Sequence, residues 1–280
     1  MGRLTRPTVL PGVCMDQPLR VLVSAGASGI GASIVERFRA DGARVSICDR
    51  DEAAVQVATS INPGLHAVVG DVADAGDTER WVGEVVDRWG GIDVLVNNAG
   101  IAGPTALVED IDPEAWRECL SVNIDSHFLL ARLVTPHLKR QRSGAIVAIS
   151  STAGLFGYGM RTPYAAAKWA VIGLTKSLAV ELGPFGIRAN VVAPGSVEGP
   201  RMGRVIAAEA AQRGVSADLV QREYVASQSI PRFVRPAEIA EMCAFLASSR
   251  ASMVNGQVIA VDGHTETFHI SSGDGVGDFR

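Results

Sequence analysis

Tyr164 and Lys168 stand four residues apart in Tyr164-Ala165-Ala166-Ala167-Lys168, a stretch that reads as the start of a helix. Positions i and i+4 share a helical face, so the ammonium can sit near the phenol and favour phenolate. That lowers a pKa of about 10 and gives an acid or base. Alone, the motif is common by chance and reads better as an exposed helical pair. Three features weigh against that reading. Ser151 lies 13 residues upstream at the end of one apolar run, and Asn97-Asn98-Ala99-Gly100 closes another. In open α/β sheets, such strand ends face the ligand crevice. Finally, Lys168 is one of three lysines, with Lys139 and Lys176, among 26 basic residues.

A second set of residues suits phosphate and ribose. Ser24-Ala25-Gly26-Ala27-Ser28-Gly29-Ile30-Gly31 follows an apolar run and opens a helical pattern. A glycine-rich turn there lets a pyrophosphate approach the backbone at a helix N-terminus, where free N–H groups and the dipole favour anions. Asp49 follows the second apolar run, 18 residues after Gly31. At that spacing a carboxylate accepts from the adenosine 2′-OH and repels a 2′-phosphate, which favours NAD over NADP. Arg50 is adjacent and could grip a phosphate. Taken singly, the turn could be a tight strand-to-helix connection and Asp49 a helix cap.

These residues need a scaffold, and the chain alternates short apolar runs with amphipathic stretches from Leu19 to Asp262. That rhythm predicts a parallel sheet covered by helices on both faces. Strands are expected at 19–24, 44–48, 66–70, 92–97, 144–150, 187–193 and 257–262. Helices are expected at 29–41, 51–60, 76–89, 113–141, 163–182 and 236–248, with Asp112 as an N-cap and Pro113 and Pro236 in first turns. Seven strands suffice for one doubly wound sheet in a single domain over 19–263. Residues 198–235 break the alternation as an insertion above the sheet. Residues 1–18 read as a flexible leader, with Met15 an alternative start, and 264–280 as a mobile tail.

The 280 residues are 47% apolar and 20% charged, with a net charge of −4. No basic run offers a footprint for nucleic acid, and no apolar run reaches the roughly 20 residues that cross a bilayer. Cys14, Cys48, Cys119 and Cys243 are scattered, without a C-x-x-C pair, which fits a reducing, cytoplasmic compartment. The five histidines show no zinc-ligand spacing, so no metal is expected.

Taken together, the glycine turn at Ser24 to Gly31, Asp49, Asp71-Val72, Asn97-Asn98-Ala99-Gly100, Asn123, Ser151, Tyr164, Lys168 and Pro194-Gly195 resemble the short-chain dehydrogenase/reductase family, in its subgroup of about 250 residues. The match covers about Leu19 to Asp262. The resemblance implies a Rossmann-type α/β domain and a catalytic tetrad of Asn123, Ser151, Tyr164 and Lys168. Ser151 would hold the substrate oxygen, Tyr164 exchange its proton, Lys168 anchor the nicotinamide ribose and depress the Tyr164 pKa, and Asn123 hold a water. Ser24, Gly26, Ser28, Gly29, Ile30 and Gly31 would cradle the cofactor. Asp71 and Val72 would contact adenine, Asn98, Ala99 and Gly100 line the cleft, and Pro194, Gly195 and Val197 pass the nicotinamide. The chain departs from the family pattern twice. Ala25 stands where the first glycine of the turn is usual, and would be strained at positive φ. Gly199 stands where many relatives have a Thr whose hydroxyl helps hold the nicotinamide amide.

The family likeness makes 198–235 a substrate lid, opening with Arg201 and Arg204 at i and i+3, a pair able to hold an anionic group. Leu155-Phe156-Gly157-Tyr158-Gly159-Met160 offers apolar surface for a substrate body. The expectation is an NAD-linked secondary alcohol dehydrogenase acting on a small alcohol or ketone. Its rivals are an NADPH-dependent 3-ketoacyl-type reductase and a dinucleotide-sensing binding protein without turnover. The family also implies a homotetramer built through helices 113–141 and 163–182.

Overall fold

The computed structural model describes residues 17–226 and 228–265. The expected leader up to residue 16, with Cys14 and Met15, and the tail from residue 266 lie outside the described residues.

Seven strands form one sheet: β1 (Arg20–Ser24), β2 (Arg44–Asp49), β3 (His66–Val69), β4 (Val94–Asn97), β5 (Gly144–Ile149), β6 (Ile187–Pro194) and β7 (Val258–Val261). Their order is β3-β2-β1-β4-β5-β6-β7, and every neighbouring pair is parallel. Between them run α1 (Gly29–Ala40), α2 (Glu52–Ile61), α3 (Ala75–Trp89), α4 (Pro113–Leu120), α5 (Ser126–Gln141), α6 (Thr162–Leu182), α7 (Pro200–Arg213), α8 (Ala217–Ala226) and α9 (Pro236–Ala247). This is a doubly wound, Rossmann-type α/β architecture. Successive side chains on a strand point to opposite faces, so both faces bury apolar residues. Val21 and Val23 pack with Ile34, Phe38, Ile239 and Leu246 under α1 and α9. Leu22, on the other face, packs with Trp81, Leu130, Leu138 and Leu182 under α3, α5 and α6.

One segment differs from the sequence expectation. The predicted helix 113–141 is interrupted by one wide π-helical turn, Ser121–Asp125. Asp112 does cap its start, accepting from the Glu114 N–H at 2.9 Å. The region 198–235 carries two helices, α7 and α8, with a small core of their own in Ile206, Ala210 and Val220. Its ends are fastened by a parallel bridge between Val197 and Val234, the Glu198 N–H donating to the Val234 carbonyl at 2.9 Å. Among the described residues, no helix is long and apolar enough to cross a membrane.

Candidate active site

The strand order reverses beside β1, so the carboxyl ends of β1 and β4 open a crevice between them. The Ser24 side chain is fully buried at this point. Its hydroxyl accepts the Asn98 and Ala99 N–H groups at 2.9 and 3.0 Å and so ties β1 to β4. The Asn98 amide donates to the carbonyls of Ser24 and Ala25, both at 3.0 Å. Ser24 and Asn98 therefore brace the glycine turn from behind. Ala25 does adopt a positive φ, of 51°. Its neighbour Gly26 is needed for space, because a Cβ there would fall 2.8 Å from Ile47 Cβ and closer still to its Cγ2. Gly31 is needed for the same reason, as a Cβ would lie 2.8 Å from Asn98 Nδ2 and would strike the Ala25 carbonyl.

In front of the brace the turn is open. A Cβ at Gly29 would meet nothing within 4 Å, and the exposed N-cap Ser28 makes no side-chain cap hydrogen bond. The first amides of α1 and the Ser28 hydroxyl are thus available to an anion, while Ile30 packs inward against the core beneath α1. Asp49 closes the far side: one carboxylate oxygen accepts the Ala27 N–H and the other the Asp51 N–H, both at 3.1 Å. Asp71 accepts the Ala73 N–H at 2.9 Å, and Val72 is buried beside it. These positions fit a dinucleotide cofactor.

Ser151, Tyr164, Lys168 and Asn123 gather beyond the ends of β4 and β5. Ser151 lies just past β5, its hydroxyl accepting the Ala153 N–H at 3.1 Å. Tyr164 is in the first turn of α6, and Lys168 one turn later places Nζ 5.7 Å from the centre of the phenol ring. The Lys168 ammonium donates to the Ile149 carbonyl at 3.0 Å, and Ser150 holds the Lys168 carbonyl at 2.8 Å. Burial opposes ionisation of Tyr164. Lys168, then Arg201, a hydrogen bond with Ser151 and Arg161 outweigh it and hold the phenol below its usual pKa. Burial, with Arg201 adding repulsion, brings Lys168 down to about 8 despite the attraction of Tyr164.

Asn123 sits in the π turn that interrupts the predicted helix. Its amide donates to the carbonyls of Cys119 and Ile101 at 2.9 and 3.0 Å. Its Oδ1 is buried without a hydrogen-bond partner. A Cβ on Gly100 would lie 2.6 Å from that oxygen and 3.1 Å from Lys168 Nζ, so Gly100 leaves space where the two groups meet. On the opposite wall, Pro194 ends β6, and Gly195 backs against Asp262, 2.7 Å from where its Cβ would be. Gly199, at the cap of α7, has φ 133° and ψ 175°. Thr is barred from that region, which accounts for the missing hydroxyl.

Arg201 and Arg204 are both exposed on α7. Arg201 crosses to the Gly100 carbonyl at 3.0 Å, its guanidinium 6.0 Å from the Tyr164 ring centre. The second arginine at the site is Arg161, which spacing arguments missed. It is only 4% exposed and lies between the rings of Tyr158 and Tyr164, 5.3 and 5.2 Å from their centres. A signal was present in the sequence, because residues 126–180 contain no Asp or Glu to pair with it. Also unanticipated was the chain from the Tyr158 hydroxyl to the Tyr224 hydroxyl and on to Glu209, 2.7 Å away, which joins the loop before α6 to α7 and α8.

Comparisons with known proteins agree with this geometry. A family model described as enoyl-(acyl carrier protein) reductase matches residues 24–264. The chain is 39% identical to trans-4-hydroxycyclohexanecarboxylate dehydrogenase of Sinomonas cyclohexanicum, covering 86% of this chain and 90% of that one. It is 35% identical to the L-fucose dehydrogenase of Bos taurus, covering 88% of each. Among solved structures, an actinorhodin polyketide ketoreductase variant with NADPH superposes with a TM-score of 0.85 at 32% identity, over 90% of this chain and 98% of that chain. With the sheet order, the glycine turn and these likenesses in agreement, the chain belongs to the short-chain dehydrogenase/reductase family of oxidoreductases.

Proposed function

We propose that this chain is an NAD-linked secondary alcohol dehydrogenase, also able to run as a ketone reductase, that works through Ser151, Tyr164, Lys168 and Asn123. The observation that carries this reading is the convergence of Lys168, Arg161 and Arg201 on the Tyr164 ring, at 5.7, 5.2 and 6.0 Å from its centre, which against burial holds the phenol below its usual pKa. When bound, the nicotinamide supplies or accepts the hydride. Ser151 holds the substrate oxygen. Tyr164 as phenolate takes the hydroxyl proton of the alcohol, and as phenol returns it to the ketone. Lys168 keeps the phenol acidic and binds the nicotinamide ribose. The unpartnered Oδ1 of Asn123 supports a bound water beside Lys168, since buried polar atoms find a partner.

The Ser28 hydroxyl and the amides of Gly29, Ile30 and Gly31 hold the pyrophosphate, with Ser24 and Gly26 shaping the turn. Asp71 and Val72 take the adenine, Asn98 to Gly100 line the cleft, and Pro194, Gly195 and Val197 border the nicotinamide. The two backbone amides that fix the Asp49 carboxylate favour NAD, because a 2′-phosphate would meet a charge that cannot swing away. The alternative is an NADPH-dependent ketoacyl-type reductase, favoured by the structural likeness to the ketoreductase with NADPH. Residues 198–235 serve as the substrate lid. Phe128 and Trp169, each 52% exposed on α5 and α6, support assembly into a homotetramer through those helices. The buried free thiols Cys48, Cys119 and Cys243 suit a cytoplasmic setting.

A panel of secondary alcohols and ketones, followed at the nicotinamide absorbance with each cofactor, tests the reading. Turnover with NAD, its loss in Tyr164→Phe with cofactor binding retained, and a gain of NADP use in Asp49→Ala are expected. Turnover with NADP alone overturns the cofactor half, and undiminished rates in Tyr164→Phe overturn the mechanism.

A further inference from the structure

Arg161 and Lys168 are the two buried members of the Lys and Arg set among the described residues. Lys168 has the phenol of Tyr164 as its electrostatic partner, but no carboxylate pairs with Arg161 or with Arg201 among the described residues. Each guanidinium is instead held by one backbone carbonyl of the loop after β4: Arg161 by Ala102 at 2.7 Å, Arg201 by Gly100 at 3.0 Å. A carbonyl orients an arginine without neutralising it. Arg161 Nε, moreover, is buried with no hydrogen-bond partner at all. Glu209, which reaches this region through Tyr224, is already paired with Arg213 at 2.9 Å. Two cations therefore converge on the rim above the reacting phenol, one from the turn before α6 and one from the lid, and the protein supplies no counter-charge.

Resting on the alcohol–ketone reading above, we propose that the substrate carries a carboxylate held by Arg161 and Arg201, so that the site interconverts a hydroxy acid and the corresponding keto acid. A planar carboxylate matches the guanidinium fork. An ester, a sugar or an acyl thioester would occupy the same cleft and leave the buried Arg161 without a counter-charge. Arg161 is pre-set by the two tyrosine rings and the Ala102 carbonyl, whereas Arg201 arrives with α7. The same carboxylate would then draw the lid onto the site.

The test uses the full chain, with short-chain and ring hydroxy acids each assayed beside its methyl ester, and cyclohexanecarboxylate beside cyclohexanecarboxamide as non-reacting ligands. Expected are a clear preference for the acids and a rise in melting temperature with the carboxylate but not the amide. The acid-to-ester ratio of kcat/KM should fall roughly 10- to 100-fold in Arg201→Gln and in Arg161→Met. Using the ratio cancels the effect that losing either cation has on Tyr164. If Arg161→Met fails to fold, Arg201→Gln, altered at an exposed position, answers the same question. Esters or neutral alcohols turned over as well as the acids would overturn the proposal and leave the oxidoreductase reading intact. So would variants that weaken cofactor binding while leaving the ratio unchanged, since the arginines would then serve the cofactor. Failure of every alcohol and ketone with both cofactors sinks the oxidoreductase reading. In that case the carboxylate-dependent melting shift, kept in the parent and lost in Arg201→Gln, still decides the anion site.

Discussion

Exchanging the first two residues of the glycine turn, Ala25→Gly with Gly26→Ala, would give the order usual in the family, yet it should destabilise this protein. At position 25 the exchange relieves φ 51°, worth about 1 kcal/mol, and loses about 0.4–1 kcal/mol to the added freedom of the unfolded chain. The net gain is a few tenths. At position 26 the new methyl meets Ile47, whose Cβ would be 2.8 Å away and which is fully buried in β2. Overpacking of a closed core costs about 1–3 kcal/mol, so the loss prevails. Urea unfolding of the exchange, of Gly26→Ala, of Ile47→Ala and of Gly26→Ala/Ile47→Ala measures this directly. Ile47→Ala alone should cost about 2–5 kcal/mol, and the pair should cost less than the sum of the singles by about 1 kcal/mol or more, because the methyl enters the space vacated. Additivity within about 0.5 kcal/mol, or an exchange variant as stable as the parent, would refute the reasoning.

Further outcomes follow from the charges and the backbone. Arg201 favours phenolate, so in Arg201→Gln the pH–rate limb for alcohol oxidation, which rises as Tyr164 loses its proton, should move to higher pH. A superimposable profile would count against the charge argument. Burial, then repulsion from Lys168, pushes His127 down to about 3, with Nε2 donating to the Ala99 carbonyl at 3.3 Å. The unfolded chain takes up a proton at His127 near pH 6.5 that the fold refuses, so stability falls as pH drops below that value, by about 2 kcal/mol at pH 5. Urea unfolding at pH 7 and pH 5 should show a correspondingly smaller acid loss in His127→Asn. Finally, Gly199→Thr should not improve cofactor binding, because φ 133° is closed to Thr. A melting temperature lowered by a cost of about 1–3 kcal/mol and weaker NAD binding are expected, and tighter binding would contradict it.

The sheet was legible because strands buried on both faces read as apolar runs whatever their neighbours, and their number and doubly wound arrangement followed. Strand ends shifted by a residue or two: β4 starts at Val94 rather than residue 92, although the Asp93 backbone already bonds Arg20 of β1 and Ala145 of β5. The π turn was not legible, since widening one turn leaves the apolar pattern of 113–141 nearly unchanged. Tyr164, Lys168 and Ser151 could be found from spacing because one helix and one strand end hold them. Spacing did not reach Arg161: the stretch 126–180, free of Asp and Glu, marks it as lacking a local partner but does not place it beside the Tyr158 ring and the Ala102 carbonyl. Arg201 was marked together with Arg204, three residues on; both are exposed, and it is Arg201 that reaches the Gly100 carbonyl and the Tyr164 ring.

The wide turn at Ser121–Asp125 divides what would be one rod into two registers. A wide turn of five residues sweeps about the same angle as four α-helical ones, so a deletion there that restored a uniform spiral would leave α4 and α5 in phase. What it would remove is the room that seats the Asn123 amide between the Cys119 and Ile101 carbonyls, with Oδ1 beside Gly100. A length change of this kind would empty one corner of the cleft while the sheet and helices beneath it stood as before.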